Sequence, residues 1–480
     1  MNAICGNRFL KIFIHILDDN SLLNMFYHCR PVLLDDDEAN DLRILQGGKW
    51  DREYWWYKLV QVCRRWRYLM FRSVFHLGLC LCCTNGTPVA DMLEHSPPLP
   101  LVIDYYIDGN RGLSEEDEKG IMLALQHRDR VRRIRLLMPH QDFQKFIAAI
   151  GKEFPMLEFL YLSPLIDNDT GLKLPETFQA PHLRHLALCN FAFPMVSSSF
   201  APIMGLVTLS LDVIPPSANF CPNSLLQWVS LMPELRTLGI TFYSQVPNHD
   251  VERQLSDISI MTHVTLPNLR WFGFDSAYLG ALLPWITTPL LEKLQVYIFD
   301  QLNISLPNLK QFISSAQNLR YTCARLRFDE NSYGLWVYPR EGTSIYALYM
   351  RVYCRGHDWQ VSSAAQVCSV LGQVFSTVVD LTLLYGEHAS SSEPHSEAVH
   401  IPWRDLLRSF NNAKTLRLPN RLLAELSCSL QVRDGESPVD LLPELKELQY
   451  DASEDDTVDA FAAFIDAREN AGCPVALVRR

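Results

Sequence analysis

The sequence has no apolar stretch approaching the ~20 residues that a membrane-crossing helix requires, and it lacks the signatures of the common enzyme classes. G-x-S-x-G, H-E-x-x-H and G-x-x-x-x-G-K-[ST] are all missing; Gly47-Gly48-Lys49 is followed by Trp50 and has Arg43 where a phosphate loop needs its first glycine. No acid–base or nucleophile constellation is visible, so no catalytic residue is nominated and no cofactor is expected. Cysteine is not scarce, at 13, but regular spacing is. The thiols run from Cys5 to Cys473, mostly within apolar runs such as Val62-Cys63, Leu81-Cys82-Cys83 and Val367-Cys368. There a free thiol acts as a small buried hydrophobe, which points to a reducing compartment. Cys80 and Cys83 form a C-x-x-C without a second pair at a metal spacing, and His182 and His185 diverge across a strand, so no metal site is expected. Positive charge is in the minority. Lys+Arg 43 against Asp+Glu 54 gives −11, which argues against a chain built to hold phosphate backbones. The basic clusters Arg64-Arg65-x-Arg67 and Arg128 to Arg135 therefore read as solvated faces or a protein-binding patch, not a nucleic-acid site. The apolar run Phe9 to Leu17 is broken by Lys11 and His15, precedes Asp18-Asp19, and has no small-residue cleavage site. An intracellular protein is expected, of cytoplasm or nucleus, with no membrane partner.

What is abundant is leucine in one recurring phrase. A Pro, one residue, then L-x-x-L-x-L occurs at Pro155 (Leu157, Leu160, Leu162), Pro181 (Leu183, Leu186, Leu188) and Pro233 (Leu235, Leu238, Ile240). It returns at Pro267 (Leu269, Phe272, Phe274) and Pro443 (Leu445, Leu448, Tyr450), and versions without the Pro start at Val131, Leu206, Leu291, Ile345, Val378 and Ala413. From 131 to 291 successive starts lie 22 to 34 residues apart, a scatter centred on the leucine-rich-repeat period of ~20–29. The fourth and sixth positions leave the same face of a strand, and the Pro stops the element before it. Between phrases the period becomes helical: Phe143, Phe146, Ile147 and Ile150, and again Leu225, Trp228, Val229 and Met232. Strand, loop and helix in repetition predict an α/β fold, a solenoid of parallel strands with helices outside. The ninth position holds Pro139, Leu165, Phe191, Ile214 and Tyr243 instead of an Asn or Cys ladder, so the solenoid should be irregular. Leu309 to Ala316 reads as a helix, and Arg325–Phe328 with Gly334–Tyr338 as a hairpin around Asp329-Glu-Asn-Ser. The 386–396 segment reads as a polar loop. A last helix (Val458, Phe461, Ala462, Ile465) and an apolar strand, Pro474 to Val478, would cap the end.

The first ~75 residues lack the phrase. Asp18-Asp19-Asn20-Ser21 supplies N-cap residues for a short helix with Leu22, Leu23, Met25 and Phe26. Residues 31–53, with Asp35-Asp-Asp-Glu38, read as an acidic loop, after which Leu59, Val62, Cys63 and Trp66 resume a helical stripe. Leu77, Leu79 and Leu81 alternate as a strand, and Pro100 to Asp104 as another.

Ile16-Leu-Asp-Asp-Asn-Ser-Leu-Leu-Asn-Met-Phe26 with Tyr57-Lys-Leu-Val-Gln-Val-Cys-Arg-Arg-Trp-Arg-Tyr-Leu69 resembles an F-box, and the phrases behind it resemble those of fungal F-box proteins with irregular leucine-rich repeats. Two positions depart from that pattern. Asp18 stands where a Pro is usual, and the joining segment is long. The resemblance implies an F-box-like helical module with an inserted acidic loop over 1–75 and an irregular solenoid with a C-terminal cap over 76–480. It implies a non-enzymatic substrate adaptor, docking a Skp-type linker, and through it a cullin, by the first module and an unknown target protein by the second. A module of this size needs another surface to cover its apolar stripe, and Leu22, Leu23, Phe26, Val60 and Trp66 are the expected adaptor-binding residues. The alternative is that they pack on the first repeat as an N-terminal cap, leaving a repeat scaffold with no ligase role. Target binding is expected on the strand face opposite the core, at Phe159, Tyr161, His185, Trp271 and Lys293, with Gln295 in the same row.

Overall fold

The computed structural model describes residues 17–29, 55–107, 112–165, 172–193, 204–215, 222–242, 262–275, 282–299, 306–316, 318–319, 321–343, 345–386, 400–432, 436–451 and 461–479. The acidic loop expected over 31–53 and nearly all of the 386–396 loop lie outside them. The chain forms two compact units, Met1–Leu211 and Asp212–Arg480, each mixed α/β around a mostly parallel sheet.

Among the described residues the first unit opens with four helices: α1 (Asp19–Cys29), α2 (Tyr57–Val60), α3 (Arg64–Arg72) and α4 (Val74–Leu77). The strand expected from Leu77 does not start there. Leu77 ends α4, and Gly78 takes a left-handed φ of 62°, a conformation that costs glycine nothing, while its N–H and that of Leu79 return to the helix carbonyls. Strand β1 begins only at Leu81 (Leu81–Thr84). Then come α5 (Val89–His95), β2 (Leu101–Tyr106), α6 (Glu115–Gln126), β3 (Val131–Met138), α7 (His140–Ile150), β4 (Phe159–Pro164), β5 (His185–Cys189) and β6 (Thr208–Ile214), the last crossing the division between the units. Strands β1 to β5 pair in sequence order, each parallel to the next. From β1 to β4 that order follows from helices α5, α6 and α7 returning the chain after each strand.

The leucines of the phrase form the core. Leu157, Leu160, Leu162, Leu183, Leu186, Leu188, Leu235 and Leu238 are all at most 1% exposed. In each, the first Leu precedes the strand by two residues and fills the corner, while the next two lie within it on the inner face. Helix α7 closes the layer with Phe143, Phe146 and Ile150, and the Phe143 ring meets Phe191 edge-on at 5.4 Å. Cys82 and Cys83 are buried on β1, where burial pushes the Cys83 thiol up to about 12.

The second unit continues with α8 (Pro222–Val229), β7 (Thr237–Phe242), β8 (Val264–Thr265), β9 (Trp271–Asp275), β10 (Ile286–Thr287), β11 (Lys293–Phe299) and α9 (Leu306–Ser315). Next come β12 (Cys323–Phe328), β13 (Ser332–Tyr338), β14 (Leu348–Tyr353), α10 (His357–Val370), α11 (Gly372–Phe375) and β15 (Asp380–Tyr385). The chain ends with α12 (His400–Arg408), β16 (Thr415–Leu418), α13 (Leu423–Leu430), β17 (Glu447–Tyr450), α14 (Ala462–Asn470) and β18 (Ala476–Arg479). Strands β8 and β10 form a small parallel pair of their own. The main sheet runs β7-β9-β11-β14-β13-β12-β15-β16-β17-β18. Where the phrase loses its beat, the order reverses. Strands β12 and β13 form the expected hairpin, β13 also pairs antiparallel with β14, and this meander sits between two parallel runs. The terminal strand adds itself parallel to β17 at the edge.

Candidate interaction surfaces

In the N-terminal helices, Asp18 starts α1 by hydrogen bonding: the Ser21 amide donates to Oδ1 and its hydroxyl to Oδ2, both at 2.9 Å, which holds the carboxyl below its usual range. Cys63 caps α3, its sulfur accepting from the Trp66 amide. Arg65 ties the two helices together through Asp19 at 2.6 Å and the Leu17 carbonyl at 2.7 Å, and Arg67 donates to the Val60 carbonyl at 3.0 Å. Between them Phe26 meets Trp66 edge-to-face at 4.8 Å.

This places the stripe read from the sequence on the inner seam. Leu22, Phe26, Val60 and Trp66 are buried within the chain itself, and Leu23 is half-buried. The apolar side chains that reach solvent are different ones: Met25, Tyr27, Tyr57, Val62, Tyr68 and Phe75, the last 82% exposed. A shallow cavity of about 470 Å³ opens among Arg64, Arg67, Tyr68, Phe71 and Arg72. Met25 and Val62 belong to the apolar spacing yet reach solvent, whereas Tyr27 and Tyr68 sit one and two positions away from Phe26 and Trp66 and periodicity alone does not mark them. Their signal is that they are large and apolar where a solvated helix face carries charge.

Of the expected target-binding residues, the first unit holds three. Phe159 on β4 and His185 on β5 are register partners with rings 6.2 Å apart; Phe159 is buried, while Tyr161 and His185 are half-buried. His185 Nδ1 lies 3.1 Å from the Thr208 hydroxyl. Burial, and then the charges of Arg133 and Arg184, push its pKa down to about 4, so the imidazole is neutral at pH 7. The basic cluster beside it is largely engaged. Arg132 pairs with Glu158 at 2.8 Å, Arg135 with Asp104 at 2.6 Å, and Arg130 donates to the Leu99 carbonyl at 3.0 Å.

The second unit gathers far more ring surface than the sequence reading nominates. Trp271 is buried and Lys293 and Gln295 half-buried on β9 and β11. In register with them, on the face opposite Leu294, Val296 and Ile298, run Tyr297 and Phe299 on β11, Tyr349, Arg351 and Tyr353 on β14, Trp336 and Tyr338 on β13, and Arg325 and Arg327 on β12. Trp336 stacks on Tyr349 at 5.1 Å and Phe299 on Tyr353 at 4.6 Å, while Tyr297 meets Tyr349 edge-on at 5.9 Å. Gly273 and Gly334 make room for the rings: a Cβ on either would collide with the indole of Trp271 or Trp336, which lies over the bare backbone. A hydrogen-bonded chain pins one end. The Trp271 indole bonds the Tyr346 hydroxyl, that hydroxyl donates to Gln295 Oε1 at 2.8 Å, and Gln295 Nε2 donates to the Tyr297 hydroxyl. Burial raises the Tyr346 hydroxyl to about 12 and those of Tyr297 and Tyr349 upward too, so these groups stay protonated donors and acceptors. Guanidiniums lie over the rim rings, Arg325 above Tyr338 at 4.9 Å and Arg351 above Tyr353 at 5.3 Å.

No family model and no curated protein matches this chain. Among the described residues, no helix is long and apolar enough to cross a membrane.

Proposed function

We propose that this chain is a non-enzymatic substrate adaptor of a cullin–RING ubiquitin ligase. Its N-terminal helices act as an F-box-like module that docks a Skp-type linker, and its strand–helix units are turns of an irregular leucine-rich-repeat solenoid that holds a target protein. The mechanism is proximity: other subunits transfer ubiquitin, and this chain raises the effective concentration of target lysines near the loaded enzyme.

The observation that carries the reading is the outer surface of the helical module. Met25, Tyr27, Tyr57, Val62, Tyr68 and Phe75 are large, apolar and exposed on a unit of four short helices. Such a concentration of apolar side chains in water is what a partner-binding face looks like. It supports docking through residues different from the buried seam. A specific observation also favours a second reading, a repeat scaffold whose helices are only an N-terminal cap: four of the five stripe residues are already buried within the chain. Co-purification with a Skp-type protein separates the two. The adaptor reading requires a complex that Phe75→Asp or Tyr68→Asp removes without lowering the melting temperature. The cap reading allows no complex.

A further inference from the structure

We infer that the ring-and-arginine face of β9, β11, β14, β13 and β12 holds an extended acidic peptide of a target protein. The inference deepens the adaptor reading, and rests on it for the word target. Five adjacent strands at ~4.8 Å spacing make a platform about 19 Å across, the length of roughly six extended residues.

The platform is set before anything binds. Trp271, Tyr346, Gln295 and Tyr297 are linked by hydrogen bonds, Trp336 is stacked on Tyr349, and the indoles of Trp271 and Trp336 lie over the bare backbone of Gly273 and Gly334. Rigid rings of this kind are efficient anchors, because little side-chain freedom remains to be lost. They take the apolar side chains of the peptide.

Charge selects the rest. The charged residues on this face of these strands are four cations, Lys293, Arg325, Arg327 and Arg351, against one acid, Asp275 at the end of β9 in register with Tyr297, on a chain whose net charge is −11. Asp329, in the turn between β12 and β13, pairs with Arg327 at 2.8 Å and stands 4.0 Å from Arg351. Among the described residues neither Lys293 nor Arg325 has an acidic partner in an ion pair. Arg325 and Arg351 lie over tyrosines; Arg325 also bonds the Tyr338 hydroxyl and Arg351 Nε and Nη2 donate to Ser332 Oγ at 3.3 Å, and a guanidinium has more donors for carboxylates than these contacts use. A polyanion with charge on every unit meets the repulsion of the acidic chain as a whole. A peptide that interleaves carboxylates with aromatic or aliphatic side chains satisfies both features of the face.

The test is fluorescence anisotropy with the full chain and a labelled random copolymer of glutamate and tyrosine. Labelled poly-glutamate, a lysine–tyrosine copolymer and oligo(dT) serve as competing probes. The glutamate–tyrosine copolymer should bind best, weaken with added salt, and lose about tenfold in affinity in Arg325→Glu and in Lys293→Glu, both with unchanged melting. Equal binding of the lysine–tyrosine copolymer, tighter binding of oligo(dT), or affinity unmoved by both charge reversals would overturn the inference. A retained copolymer site on a chain that captures no Skp-type protein would remove the adaptor role alone, so the two failures are distinguishable.

Discussion

Arg468 on α14 is fully buried and makes no ion pair with a carboxylate among the described residues. Its donors fan out to backbone carbonyls: Nη1 to Leu441 and Leu442 at 3.2 Å and Pro438 at 3.4 Å, Nη2 to Pro443 at 3.1 Å and Leu445 at 3.3 Å, and Nε to Cys473 at 3.4 Å. The turn it grips is strained, because Leu442 takes a φ of 51° that a leucine adopts at a cost. That turn delivers Leu445 and Leu448, the last leucine phrase, into β17. Arg468→Met keeps the aliphatic volume and removes every donor. The Leu441 and Pro443 carbonyls lose their short guanidinium contacts at about 1–2 kcal/mol each, while the Leu442 carbonyl still accepts from the Leu445 amide; the loss of packing over Phe464 adds to this, so the cost is about 3–4 kcal/mol. Arg468→Lys, with one point of donation instead of a planar fork, should recover about half. Hydrogen exchange resolves the effect locally: in Arg468→Met the amides of Leu445, Lys446 and Glu447 should exchange roughly a hundredfold to a thousandfold faster. A change below about fivefold would mean the carbonyls are satisfied without the guanidinium, and the reasoning fails.

Three further outcomes follow from buried groups. His185 has a folded pKa of about 4 against 6.5, so the unfolded chain binds the extra proton first; stability is full above pH 6.5 and falls as pH drops toward 4, by up to roughly 3 kcal/mol. In His185→Gln, acid melting curves between those limits should lose most of that slope, and an unchanged slope contradicts the assignment. The indole N–H of Trp66 is buried without a partner among the described residues, so Trp66→Phe should cost no more than about 1 kcal/mol while Trp66→Ala costs about 3–5, as read from denaturant midpoints. Equal costs would show that the N–H is bonded. Gly334→Ala should lift the Trp336 indole off the sheet at a cost of about 1–3 kcal/mol and shift tryptophan emission to the red, whereas Gly372→Ala, with open space around its Cβ, should leave the emission unchanged. Identical spectra for wild type and Gly334→Ala would remove the ring-over-glycine geometry.

The regular parts of both sheets were legible because one phrase does three physical jobs: Pro stops the previous element, the first Leu fills the corner, and the next two share a strand face. Hence Leu157 to Leu238 are buried as the spacing requires. The hairpin at Asp329-Glu-Asn-Ser was legible from alternation, but its pairing partners were not. That Val337 meets Leu348, and Leu326 meets Leu383, is a long-range choice that no local period encodes. Gly78 was readable as a helix stop, yet Leu77, Leu79 and Leu81 on either side imitate a strand, and local alternation was the weaker signal. The candidate surfaces were less legible. Apolar spacing finds what faces inward, so it selected Phe26 and Trp66, whose burial against each other uses up the stripe. Phe75 and Tyr68 have no periodic signature. The platform of Tyr297, Trp336 and Tyr349 needed three-dimensional register, since its members come from strands whose order in the sheet is not their order in the sequence.

The central claim, that the N-terminal helices dock a Skp-type protein, is tested most directly by mixing the purified full chain with a purified Skp-type protein and measuring the complex by size-exclusion chromatography with light scattering. The account predicts a one-to-one complex that is lost in Phe75→Asp and Tyr68→Asp and kept in Arg325→Glu. Two separate peaks for the wild-type chain, in a run where a known F-box protein binds the same preparation, would contradict it and leave the helices as a cap.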